Sequence, residues 1–232
     1  MKYYLAPMEG LTTYNFRTNW NRCYGGMDKY FTPFISNRHM NSRERNDVLP
    51  EHNVGMYTVP QILTNKAEEF LSLAEQLAGY GYHEVNLNLG CPSGTVVARN
   101  RGAGFLGTPR ELETFLDEIF EKCPLKISIK TRIGMECPDE WAPLLKIYQK
   151  FPMKELIIHP RLQKEGYKGT PHLEAFAEAV NDQFLHGEFL IYFKQWSPFI
   201  HVVHADAGLD GDFQWTFFED LVQKILQFPG RA

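Results

Sequence analysis

Six short β-rich runs recur along the first two thirds of this chain, and helical patterns fill several of the gaps. That alternation narrows the fold more than any other feature. The runs are KYYLAPM (2–8), KYFTPFI (29–35), MYTVPQIL (56–63), HEVNLNL (83–89), LKISIKT (125–131) and ELIIHP (155–160). Ala67, Phe70, Leu71, Ala74, Leu77 and Ala78 share one helical face, and so do Leu112, Phe115, Leu116, Ile119 and Phe120. Thr108, Pro109 and Glu111 read as the capped start of the second helix, and Cys123-Pro124 as its end. Strands joined by helices in this order pair in parallel through right-handed crossovers. Run starts roughly 27 to 42 residues apart suit the units of a (β/α)8 TIM-type barrel. A doubly wound open sheet is the competing architecture. The polar residues favour the barrel: Met8, Gln61, Asn88, Lys130 and His159 each fall at or near the C-terminal end of a predicted strand, the rim where barrel enzymes build their sites.

The chain of 232 residues is long enough for one sizeable core. A formal net charge of −4 gives no global basic signature, so a nucleic-acid partner would have to meet a local patch of Lys and Arg. Four cysteines (Cys23, Cys91, Cys123, Cys137) show no C-x-x-C pair or zinc-finger spacing and read as free thiols of a reducing compartment. The start, MKYYLAPMEG, lacks the features of a signal peptide, and no run approaches the ~18 apolar residues of a membrane span. The expectation is a cytoplasmic protein without a bound metal.

Three rim segments carry residue types that do chemistry. In NLNLGCPSG (86–94) a cysteine stands between Gly90 and Pro92 directly after a strand. Most free cysteines are small buried hydrophobes. Here Pro92 biases Cys91 toward extended backbone, and the glycines allow close approach of a ligand. A thiol so placed serves as a nucleophile or as a proton donor, since an ordinary thiol has a pKa of roughly 8.5. Asn86 and Asn88 share one strand face, and an amide at Asn88 offers a donor and an acceptor to a planar heterocycle. Lys130 and Arg132, two apart, point to one side and suit an anionic ring or a phosphate, or form a solvated strand end. His159 and Arg161 repeat the arrangement one strand later. Gly102, Gly104 and Gly107 spell G-x-G-x-x-G, but more than a dozen residues after the preceding strand, so this is no dinucleotide fingerprint. The segment RNRGAGFLG reads instead as a flexible lid, with Arg99 and Arg101 as phosphate contacts.

Taken together, APMEGLT (6–12), PQI (60–62), NLNLGCPSG (86–94), RGAGFL (101–106), KTRIG (130–134) and HPRLQKEGYKG (159–169) resemble the tRNA-dihydrouridine synthases over about residues 1–180. That resemblance implies an FMN-dependent β/α barrel that reduces uridine in tRNA, with NADPH or NADH as electron donor. It places Pro7 and Met8 along the flavin, and Gln61, Lys130 and His159 on the flavin ring and its ribityl-phosphate side. Asn88, Arg132 and Tyr167 would hold the uracil, and Cys91 would be the general acid that protonates C5 after hydride reaches C6.

Past about residue 185 the resemblance ends. The family's Asn-Gly-acidic turn, Gly-Arg-Gly phosphate loop and C-terminal helical domain have no counterpart in residues 186–232. The expectation is a barrel domain over 1–185, incomplete or atypically closed, followed by a divergent segment. EFLIYF (188–193) and FIHVVHA (199–205) lie too close together for a parallel crossover, so two strands there would form a hairpin. Three functional readings follow. They are a tRNA-uridine reductase, a flavin barrel oxidoreductase acting on a free pyrimidine or enone, and a non-catalytic remnant.

Overall fold

A computed structural model describes residues 2–168, 170–175 and 179, together with the backbone of 188–191 and 203–205. All six expected strands are present: β1 (Tyr4–Leu5), β2 (Lys29–Ile35), β3 (Thr58–Ile62), β4 (Glu84–Leu89), β5 (Lys126–Arg132) and β6 (Glu155–His159). They pair in parallel in chain order and curl into a half-barrel. A further strand, β7 (Glu188–Ile191), continues the parallel order, and β8 (Val203–Ala205) pairs antiparallel with it, as the short spacing between the two runs requires. The closing of the barrel, the fold of the remaining C-terminal residues and the absence of a helical domain lie outside the described residues. No helix among those described is long and apolar enough to cross a membrane.

The helices coat the outside: α1 (Tyr14–Cys23), α2 (Ser42–Val48), α3 (Ala67–Gly79), α4 (Gly94–Val97), α5 (Pro109–Lys122) and α6 (Trp141–Tyr148). Period-two alternation divides each strand between two environments. Val85, Leu87 and Leu89 of β4, Ile127 and Ile129 of β5, and Leu156 and Ile158 of β6 face outward. There they pack with Phe70, Leu73, Leu77, Leu112, Leu116 and Leu144 of the helices. On α3 the face is shifted slightly from the sequence reading, with Leu73 buried and Leu71 and Ala78 only partly so. The alternate strand positions form a separate interior, where Tyr4, Phe31, Val59 and Ile157 make a small apolar layer.

The expected Thr108–Glu111 capping box is not made: the Thr108 side chain bonds no helix N–H. Asn100, the one non-glycine residue with positive φ (53°) among those described, donates its amide to both Thr108 Oγ1 and Glu111 Oε2. The two side chains hold the preceding loop rather than the helix end. Boxes do form at Asn41–Glu44 on α2 and at Cys137–Glu140, on the short 3-10 turn Pro138–Glu140.

Below the apolar layer, at the N-terminal ends of β2, β4 and β6, lies a buried charge cluster. Lys29 Nζ is 3.1 Å from Glu84 Oε1 and 2.7 Å from Glu155 Oε2. Tyr4 donates its hydroxyl to Glu155 (2.8 Å) and Tyr57 donates to Glu84 (3.0 Å). One inward residue from each of three alternate strands is the layer rule of these barrels, filled here with ions. A single ammonium against two carboxylates leaves a surplus negative charge out of water. Burial raises the Glu155 pKa to about 7, against the pull of Lys29 and with the Glu84 charge adding to the rise. A carboxyl whose folded pKa lies above its unfolded value contributes stability that is complete below about 4.5 and is lost as pH rises through about 7. We expect Glu155→Gln to flatten this fall. Chemical denaturation at pH 5 and pH 8 should show the parent losing roughly 1–3 kcal/mol more than the variant across that interval. Parallel pH dependences would refute the assignment.

Candidate functional site

Four loops and a bulge build the open end. After β1 the chain turns sharply, with Leu11 and Thr12 N–H both donating to Met8 C=O, and Met8 N–H donating to Thr12 Oγ1 at 2.9 Å. The buried Arg17 guanidinium then holds Thr12 C=O at 2.6 Å. This closed turn directs Pro7, Met8 and Glu9 to the rim. In β2 a register shift falls between Phe31 and Phe34, across Pro33, which has no N–H to give to a ladder. Thr32 Oγ1 fills the gap by accepting Gln61 N–H (3.1 Å), and Phe34 reaches the rim beside Gln61.

The loop after β4 is tied at both faces. Asn88 Oδ1 accepts the N–H groups of Gly90 (3.1 Å) and Cys91 (2.9 Å), and Cys91 C=O accepts Ala103 N–H (3.1 Å). Beneath it lies the Gly-rich run, and here the sequence expectation fails. Residues 102–107 form a 3-10 helix in which Gly102 through Leu106 are buried, so this is a floor and not a flexible lid. Gly102 has φ +57°, and a Cβ there would sit 2.9 Å from Cys91 O; one at Gly104 would sit 2.8 Å from Val97 O. The glycines are needed for close backbone packing under the cysteine, not for a dinucleotide. Arg101 likewise serves structure: it pairs with Glu69 at 2.9 Å and donates to Ser36 C=O. Arg99 is exposed.

Arg132 differs from the sequence picture of a rim cation. It is fully buried, and it donates Nε to Gly90 C=O and Nη1 to Leu162 C=O, both at 2.9 Å. One guanidinium thus staples the loops after β4 and β6. Its loop is fixed in turn by Glu140, whose carboxylate accepts three successive N–H groups, from Met135, Glu136 and Cys137. These hydrogen bonds outweigh burial and hold its pKa below the usual carboxylate range. Arg161 is buried too, with Nη1 3.0 Å from His159 Nε2. Because a guanidinium only donates, Nε2 accepts and the His159 proton resides on Nδ1. Tyr167 stacks 6.1 Å from His159 and lies 5.4 Å from the Arg132 guanidinium.

The nine residues singled out from the sequence line a single cavity of roughly 240 Å³: Pro7, Met8, Gln61, Asn88, Cys91, Lys130, Arg132, His159 and Tyr167. Gly90, expected to let a ligand come close, lines it too, and sequence reasoning missed Glu9 and Phe34. Glu9 stood within the quoted APMEGLT motif, so its neighbour Met8 was the available signal; Phe34 reaches the rim only through the β2 bulge. Burial raises the Glu9 pKa, opposed by Arg43, which lies 3.1 Å away. The cavity combines apolar walls (Pro7, Met8, Phe34), two amides, an imidazole, two cations and a half-buried thiol. Such a set can sandwich a planar heterocycle, meet its carbonyl edge with donors, and pass it a proton.

Comparison with known proteins agrees with the motifs. Residues 4–182 match the family model for dihydrouridine synthase (Dus). The chain belongs to the dihydrouridine synthase family. It is 30% identical over 184 residues to a probable tRNA-dihydrouridine synthase of Staphylococcus aureus (strain COL), covering 77% of this chain and 55% of that protein. It is 31% identical over 184 residues to the tRNA-dihydrouridine(16) synthase of Pseudomonas putida, covering 75% and 57%. The chain thus spans little more than half the length of these curated relatives. The family match stops close to where the motifs stop, near residue 180.

Proposed function

We propose that this chain is a tRNA-uridine reductase that uses FMN and a reduced nicotinamide dinucleotide, acting in the cytoplasm through its barrel portion, residues 1–185. One observation carries the reading: residues scattered over 160 positions of sequence, each with an expected role in that reaction, line one cavity with the Cys91 thiol among them. The donor set fits a flavin. Pro7, Met8 and Phe34 offer apolar surface to a ring face, while Gln61, Lys130 and His159 offer an amide, an ammonium and an Nδ1 proton to its polar edge and phosphate side. When bound, the flavin supplies hydride to C6 of the uracil.

The remaining work falls to the chain's own residues. Asn88 and Tyr167 orient the uracil, and the buried Arg132 keeps the Gly90 and Leu162 backbones in place around it. Cys91 Sγ–H gives its proton to C5, so that one hydride and one proton saturate the C5–C6 double bond, and water restores the thiol proton. The uridine must leave its stack to enter so small a cavity. Lys130 and Arg132 favour the negative charge that develops on the uracil carbonyl side.

The test is flavin loading of the full chain. After incubation with FMN and desalting, the protein should carry visible flavin absorbance, and Lys130→Met should lose most of it. A chain that stays colourless would overturn the reading and favour a non-catalytic remnant.

A further inference from the structure

The cavity's two amides belong to a longer hydrogen-bond line that runs back into the barrel wall. In the parallel register Gln61 of β3 stands opposite Asn86 of β4, and Asn86 opposite Ser128 of β5. All three are buried, and neither Asn86 nor Ser128 touches the cavity. Ser128 Oγ–H donates to Val85 C=O at 3.3 Å. Its oxygen accepts Asn86 Nδ2–H at 3.0 Å, and Asn86 Oδ1 accepts Gln61 Nε2–H at 2.7 Å. Gln61 Oε1 accepts Asn88 Nδ2–H at 2.8 Å, which leaves Asn88 Oδ1 to accept the Cys91 and Gly90 N–H groups.

The two ends of this line are backbone groups of fixed polarity. Val85 C=O can only accept, and the Cys91 N–H can only donate. Each intervening amide has one acceptor and one donor end, so turning any of them over would set two acceptors or two donors face to face. Amide orientation is ordinarily ambiguous; here the Gly90 and Cys91 N–H groups dictate it, and Ser128, by donating to Val85 C=O, keeps its oxygen turned to accept from Asn86. We infer that Asn86 and Ser128 are positioning residues: from outside the cavity they hold Gln61 and Asn88 in the one orientation the Cys91 end allows, and through Asn88 they hold the Cys91 loop. The consequence for function rests on the reading above, because it assumes that Gln61 meets the flavin and Asn88 the uracil.

In the parent protein, without flavin or substrate, NMR should show the hydrogen-bonded side-chain N–H protons of Gln61, Asn86 and Asn88 exchanging slowly with solvent. Ser128→Ala removes the acceptor for Asn86, leaves its buried Nδ2–H unpaired and loosens the line, which is then anchored only at its Cys91 end. The Cys91 amide should then exchange with solvent about tenfold faster, the equivalent of one lost neutral hydrogen bond, while amides of the α5 ladder keep their protection. Ser128→Thr, which keeps the hydroxyl, should restore slow exchange at Cys91. In the loaded enzyme Ser128→Ala should lower kcat about tenfold, with a fall in thermal stability no larger than one unpaired buried donor costs, and Ser128→Thr should restore both. Fast solvent exchange of these side-chain protons in the parent, or Cys91 exchange unchanged in a folded Ser128→Ala protein, would overturn the inference. The parent measurement stands even if the variant does not fold. Because exchange is read without flavin, a failed relay is distinguishable from a failed catalytic reading, which would appear as normal protection and no turnover.

Discussion

Cys91→Ala should bind FMN as the parent does and lose product formation by roughly two to four orders of magnitude, the range in which a positioned proton donor acts. The loop geometry makes this substitution clean. Cys91 is held by its backbone, through the N–H to Asn88 Oδ1 and the C=O to Ala103 N–H, so deleting Sγ leaves both hydrogen bonds in place. Neighbouring Pro92 is secured independently, by Gln163 Nε2 at 3.2 Å. Flavin retention, read by absorbance, is what separates loss of a proton from loss of a fold. A variant that loses flavin as well would mean that Sγ packs against the cofactor instead of serving the substrate.

The second large effect lies at the other end of the barrel. Lys29→Met should cost about 3–5 kcal/mol near pH 8, because it leaves Glu84 and Glu155 buried and facing each other without a cation. The loss should shrink at pH 5. There Glu155, with a pKa raised to about 7, is protonated in the parent already and needs no partner. Denaturant titration at the two pH values measures it. A pH-independent loss would show that Lys29 acts through its ammonium against the Tyr4 and Phe31 rings, 5.0 and 6.0 Å from their centroids, rather than through its pairing with the two carboxylates.

Most of this architecture was legible because its signals are local. The strands declare themselves by short β-branched and aromatic runs, and α3 and α5 by a 3.6-residue period. The rim was legible because a residue at a strand's C-terminal end has few other places to go. What escaped was everything decided by a distant partner. Arg101 looks like a phosphate ligand until Glu69, 32 residues away, takes it. Thr108 looks like a cap until Asn100 claims it. The glycines of 102–107 promise mobility, yet Val96, Val97 and the Cys91 carbonyl leave no space for it. Arg132 and Arg161 read as rim cations awaiting an anion because sequence does not report which backbone carbonyls or imidazole engage them. The buried Lys29 cluster was invisible for the same reason: its members are 55 and 126 residues apart.

The reduction itself decides the matter. The chain of 232 residues, loaded with FMN, should be incubated with NADPH and a tRNA transcript free of modifications, and the digested nucleosides analysed by mass spectrometry. The account predicts dihydrouridine with the parent chain and little or none with Cys91→Ala under the same flavin occupancy. Dihydrouridine at equal rates from both proteins, or none from a parent chain that holds its flavin, would contradict it.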